Sequence, residues 1–97
     1  MLIAFQGLDR ADAGELRASL RPAHIEFHRR RNNLVGGPLI DDDGNMCGSL
    51  IIFEAEDIAD ATKQLASDPY IERGLFDTVS ITEFIAADWP SDTSDDR

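Results

Sequence analysis

Leu34-Val35-Gly36-Gly37-Pro38-Leu39-Ile40, then Asp41-Asp42-Asp43-Gly44-Asn45, then Met46-Cys47, then Gly48-Ser49-Leu50-Ile51-Ile52-Phe53-Glu54: this stretch spells a β-hairpin and decides the fold. Asp42-Asp43-Gly44-Asn45 is a turn signal, because glycine reaches positive φ without strain and Asp and Asn side chains bond to their own backbone. Two glycines and a proline in the first arm point to a bulge or close backbone approach at a sheet edge, since proline cannot donate to a ladder. The second arm is apolar at four consecutive positions, Leu50 to Phe53. Successive strand residues point to opposite faces, so both faces of the sheet carry apolar side chains there.

Residues 2–7 read as a short strand preceding the hairpin. Asp12 is a plausible N-cap for a helix over 13–31, and Pro22 inside it predicts a kink or restart between Leu20 and Pro22. Asn32-Asn33 stops that helix. Asp57 caps a second helix, with Ile58, Ala61, Leu65 and Ala66 facing inward, and Ser67-Asp68-Pro69 ends it. A turn through Gly74 leads into a last strand over 75–85. The order βαββαβ is the ferredoxin-like arrangement of the α+β class, an antiparallel sheet with two helices on one face. Two helices cover one face only, so the other is expected to pack against a second copy, giving a homodimer joined sheet to sheet.

Ninety-seven residues make one domain. We place it at residues 1–87, with 88–97, rich in Asp, Ser and Thr, as an acidic flexible tail. A net charge of −10 argues against a nucleic-acid partner, which rewards clustered Lys and Arg. The one basic cluster, Arg29-Arg30-Arg31, is expected to complement a helix dipole. No apolar run is long enough to span a bilayer, and no signal peptide is evident, so no membrane partner is expected. A single cysteine, Cys47, forms no internal disulfide and fits a reducing, cytoplasmic setting. No phosphate loop or dinucleotide fingerprint occurs, and no cofactor is expected.

His24 is the residue that calls for chemistry. With Leu16, Leu20, Ala23 and Phe27 it follows the spacing of one helix face, so a titratable imidazole sits where plain core is expected. A core histidine with a structural partner is one reading; a proton carrier at neutral pH is the other. Asp68 has two readings as well, turn chemistry before Pro69 or the carboxylate that orients His24. His28 lies four residues on, a spacing that can chelate a metal, but about 40° further round the helix toward its polar edge. Two ligands without a third define no metal site, and none is expected. The Asp41–Asn45 run lacks the acidic twelfth position of a calcium loop.

Arg21-Pro22-Ala23-His24, Gly36-Gly37-Pro38-Leu39, Asp43-Gly44 with Gly48-Ser49-Leu50, and Asp68-Pro69-Tyr70 with Gly74-Leu75-Phe76 together resemble the YCII-related (YciI-like) family, in order and spacing, from Met1 to about Phe84. The resemblance implies a dimeric α+β barrel of ferredoxin-like protomers and a pocket holding a His-Asp pair, here His24 and Asp68. The wider superfamily includes lyases that dehydrochlorinate ring compounds and isomerases of lactones. It therefore implies an enzyme using His24 and Asp68 for general acid–base chemistry on a small cyclic or aromatic molecule; the alternative is a non-catalytic dimer that binds a small metabolite. Around that pocket, Gly37 and Pro38 with Gly36 are expected as wall or as a plain bulge. Ser49 is a hydroxyl donor, Arg21 either binds a substrate anion or faces solvent, and Tyr70 either donates or packs. Cys47 is expected to be inert.

Overall fold

The computed structural model describes residues 1–89. The elements are β1 (Leu2–Asp9), α1 (Gly14–Arg29), β2 (Asn33–Ile40), β3 (Met46–Glu54), α2 (Ile58–Leu65), α3 (Pro69–Glu72) and β4 (Phe76–Phe84). The four strands form one antiparallel sheet in the order β2-β3-β1-β4, which is the ferredoxin-like topology. Most of the acidic tail, residues 90–97, lies outside the described residues. No helix among the described residues is long and apolar enough to cross a membrane.

The alternation of the central strands builds the core. Ile3 and Phe5 of β1 oppose Phe53 and Ile51 of β3, and all four point to the helix side. Ala55, Ala61 and Leu65 pack on them from β3's end and α2. Asp57 caps α2, its side chain accepting a hydrogen bond from the Asp60 amide at 2.7 Å. Of the residues expected inside from α2, Ala61 and Leu65 are buried, whereas Ile58 and Ala66 are exposed. Eight residues span barely two turns, so only one narrow stripe of the helix reaches the sheet. Phe76 lies directly over Gly7, where any Cβ would meet its ring at 2.7 Å.

On the opposite sheet face, Ala4 of β1 pairs with Ile52 of β3, Gln6 with Leu50 and Leu8 with Gly48, while Leu2 pairs with Phe84 of β4. Leu8, Leu50 and Phe84 are left exposed within the protomer. The sheet thus carries apolar side chains on both faces, as the Leu50–Phe53 run implies, with Gln6, Ser80 and Thr82 among them on the open one.

Helix α1 departs from the sequence reading in four ways. It starts at Gly14 rather than on an Asp12 cap: Ala13 holds the cap position without a side-chain hydrogen bond, and Asp12 sits at a φ of 58°. Pro22 does not interrupt it, since the span is one continuous helix to Arg29. Pro22 and Ala18 are both exposed, so the proline sits on the solvent side of the helix, where the hydrogen bond it removes costs least. His24 therefore lies well inside one helix, not in the first turn of a second piece. The inward stripe also differs: Ala13, Arg17 and Leu20 are buried, His24 and His28 half-buried, and Ala23 is exposed. The basic cluster is split as well. Arg31 lies beyond the helix and folds back over the Phe53 and Phe27 rings, 4.9 and 5.7 Å from their centres.

Candidate functional site

The inward stripe of α1 meets the end of α2 at Asp68. This residue caps the one-turn helix α3, its Oδ1 accepting from the Tyr70 amide at 2.9 Å. The cap fixes the carboxylate at the helix mouth, where both α1 histidines reach it. His24 Nδ1 stands 2.9 Å from Asp68 Oδ1, and His28 Nε2 stands 2.7 Å from Oδ2. Asp68 is only 1% exposed. Burial pushes its carboxyl up, but the hydrogen bonds from His24 and His28, the charge of His24 and the Tyr70 amide outweigh this and hold it down at about 2.

These bonds assign the protons. Arg31 donates to Asn33 Oδ1 at 3.3 Å, which leaves Asn33 Nδ2 to donate to His28 Nδ1 at 2.9 Å. His28 then carries its proton on Nε2 and donates it to Asp68. His24 donates from Nδ1, so its Nε2 is the basic nitrogen. The His24 ring is stacked on Tyr70, with centroids 3.8 Å apart and planes 13° off parallel.

The three groups whose ligand atoms lie within 4.8 Å of one another, His24, His28 and Asp68, could hold a divalent cation. The third ligand missing from the sequence reading is thus supplied by the tertiary structure. The hydrogen-bond directions favour a proton network instead, because the Asn33 contact occupies His28 Nδ1 and turns Nε2 into a donor, where a ligand would need its lone pair.

A cavity of about 460 Å³ opens beside this network. Of the residues singled out in the sequence, Arg21, His24, Gly37, Pro38, Ser49 and Tyr70 all line it, as does Gly36. Asp68 does not; it stands behind His24. His28, read from sequence as polar edge, also lines the wall and shares Asp68. Gly36, Gly37 and Pro38 form the edge-strand wall, and a Cβ at Gly37 would meet nothing within 4 Å.

Sequence reasoning passed over a second cluster. Arg17, 4% exposed, is held by Asp9 through Nε at 2.7 Å and Nη2 at 2.9 Å. Burial opposes its charge, but the Asp9 bonds more than offset this and raise its pKa above the ordinary value. The same guanidinium donates to Ser49 Oγ at 3.0 Å and, more weakly, to Tyr70 Oη at 3.4 Å. Asp9 sits where the β1–β4 register shifts, a bulge that re-aims a side chain. The available signal was helical spacing: Arg17, His24 and His28 are seven and four residues apart, on one face.

The Asp68 network makes stability depend on acid. Its carboxyl ionises at an ordinary 3.8 when unfolded and near 2 when folded, so the folded state binds fewer protons. The stabilisation is present above the ordinary value and is lost as pH falls through about 2. Wild type should lose about 2 kcal/mol more than Asp68→Asn across that window, measured as urea midpoints. Parallel profiles for the two proteins would contradict it.

Comparison with known proteins agrees with this architecture. The model of the YCII-related domain matches residues 1–85. Protein YciI of Escherichia coli O6:H1 is 33% identical over 94 residues, covering 87% of this chain and 96% of that relative. Among solved structures, the 5-chloro-2-hydroxyhydroquinone dehydrochlorinase TftG of Burkholderia phenoliruptrix AC1100, in complex with 2,5-dihydroxybenzoquinone, superposes with a TM-score of 0.82 at 26% identity, covering 90% of this chain and 96% of that one. An antibiotic biosynthesis monooxygenase shares the fold at a TM-score of 0.52 and 18% identity, covering 89% of this chain and all of that one. By its sequence over residues 1–85 and by its fold, the chain belongs to the YCII-related (YciI-like) family.

Proposed function

We propose that the protein is a cofactor-independent enzyme of the lyase or isomerase type, acting on a small hydroxylated ring. The observation that carries this is the His24–Asp68 pair: the Nδ1 side of the imidazole is tied to a buried carboxylate while the ring lines a cavity of ligand size. His24 Nε2 takes a proton from the substrate and can return it; Asp68 sets the tautomer and stabilises the imidazolium. The likeness to a dehydrochlorinase supports elimination of hydrogen chloride. In that reaction a proton leaves to His24, chloride departs with its electron pair, and no external oxidant is needed. Chloride release from 5-chloro-2-hydroxyhydroquinone by the wild-type protein, absent in His24→Gln, tests the reading. Saturable binding of 2,5-dihydroxybenzoquinone with no turnover of any chlorinated hydroxyhydroquinone would favour the metabolite-binding dimer instead.

The working form in this reading is a homodimer closed through the open sheet face. Leu8, Leu50, Phe84 and their apolar neighbours on that face support it, since burying such a surface is favourable by roughly 25 cal/mol per Å². Leu50→Glu, which places a charge at the face, should convert the dimer to monomer in sedimentation equilibrium at micromolar concentration. A monomeric wild type, or a dimeric Leu50→Glu, would reject sheet-to-sheet pairing.

A further inference from the structure

Arg31 holds its place at a cost. Its guanidinium lies over the Phe53 and Phe27 rings, and its Nε is buried with no hydrogen-bond partner among the described residues. Burial lowers its pKa from the ordinary value, and the charge of Asp68 offsets only part of that. A buried donor left unsatisfied opposes folding, so the position calls for a reason. The other two nitrogens supply one. Nη1 donates at 3.3 Å to the Gln64 carbonyl, in the last turn of α2, where carbonyls lack partners within the helix. Nη2 donates to Asn33 Oδ1 at 3.3 Å. Arg31 thereby ties the end of α2, which leads into Asp68, to the first residue of β2.

The direction of every bond beyond Arg31 follows from this one donor. A guanidinium has no lone pair to offer, so Asn33 turns its oxygen toward Arg31 and its amide hydrogens toward His28 Nδ1, 2.9 Å away. His28 Nδ1 then accepts, Nε2 carries the hydrogen, and that hydrogen goes to Asp68 Oδ2 at 2.7 Å. Charge acts in the same sense. The His24 and His28 ring centroids are 4.6 Å apart. A second proton on His28 would set an Nδ1 hydrogen against the Asn33 amide, with the Arg31 charge behind it. It would also oppose a positive charge on His24.

We infer that Arg31 and Asn33 are positioning residues that lock His28 as a neutral Nε2–H donor to Asp68, so that His24 alone of the two imidazoles takes up a proton. Both act through His28. The lock itself stands on hydrogen-bond directions. Its consequence for His24 rests on the acid–base reading, in which Asp68 has a single imidazolium to stabilise.

The ring nitrogens report the lock directly. In nuclear magnetic resonance of the intact protein with isotope-labelled histidine, about two pH units above the ordinary imidazole value, His28 should show its hydrogen on Nε2 and a lone pair on Nδ1. Asn33→Asp is nearly isosteric and keeps the acceptor for Arg31, but a carboxylate has no hydrogen to give, so a hydrogen should appear on His28 Nδ1. Arg31→Met frees the Asn33 amide to rotate and should leave His28 as a mixture of tautomers. Arg31→Lys, which can still donate to Asn33, should restore the single one. Asn33→Asp and Arg31→Met should each lower kcat for 5-chloro-2-hydroxyhydroquinone by about tenfold or more with KM little changed. A His28 hydrogen on Nδ1 in the wild type, or one that stays on Nε2 alone in Asn33→Asp, overturns the lock. A lowered urea midpoint in Arg31→Met with an unchanged tautomer marks a merely structural residue and overturns it too. A tautomer that moves while kcat stays constant overturns the link to His24. If the wild type turns over no such substrate, the acid–base reading fails, while the ring nitrogens still decide the lock.

Discussion

His24→Gln is expected to lower kcat by about 10²- to 10⁴-fold with KM changed far less, the range associated with losing a positioned general base. Glutamine can keep a hydrogen bond to Asp68 and much of the side-chain volume, so the stacked Tyr70 ring and the cavity wall should persist. It cannot accept and release a proton near neutrality. His28→Gln makes the informative comparison, because both imidazoles bond to the same carboxylate. His28 Nδ1 accepts from Asn33 and its Nε2 proton points at Asp68, so neither nitrogen is left to act as a base. Its loss should shift the acid limb of the pH–rate profile, through a less occupied Asp68, rather than abolish turnover. If His24→Gln retains wild-type kcat, or if the two substitutions are equally damaging, His24 is not the base.

The largest stability effect should come from the other side of the pocket. Asp9→Asn leaves the Arg17 guanidinium buried without its counter-charge, which destabilises by about 3–5 kcal/mol. Domains of this size are held by roughly 5–15 kcal/mol, so the urea midpoint should fall by about a fifth or more. Arg17→Met combined with Asp9→Asn removes the charge along with its partner and should recover much of the loss, since a buried pair replaced as a unit is often close to neutral. A loss below 1 kcal/mol in Asp9→Asn would mean that the ion pair is more hydrated than its burial implies.

The elements that were legible in sequence are those written in local chemistry. The Gly44 turn, the glycines and proline of the edge strand, the Asp57 cap and the doubly apolar Leu50–Phe53 run each act over a few residues, and together they point to βαββαβ. The family resemblance brought Asp68 and His24 together on paper. What was misread involves α1. The face chosen by apolar count, Leu16-Leu20-Ala23-His24-Phe27, holds for Leu20 and His24 but leaves Ala23 exposed, and it omitted Arg17 and His28, which also face inward. Apolar periodicity assumes that charge stays outside, and here charge goes inside because a partner is waiting. The α3 turn was missed because four residues leave no periodic trace, and the unbroken passage through Pro22 goes with its place on the solvent side of α1.

Sequence alone determined the order of strands and helices along the chain, the presence of apolar side chains on both sheet faces, and a histidine and an aspartate at positions that could meet. Those properties come from side-chain alternation and turn chemistry, which are local and periodic. Only the tertiary structure decided which way α1 is turned, that Asp68 serves two histidines, and that Arg17 holds Ser49 and Tyr70. Each of those depends on a partner far along the chain: Asp9 at a register shift in β1, Asn33 at the start of β2, and Asp68 at the mouth of α3. The free energy of a buried polar group is set by whether that partner arrives, and no local pattern carries that information.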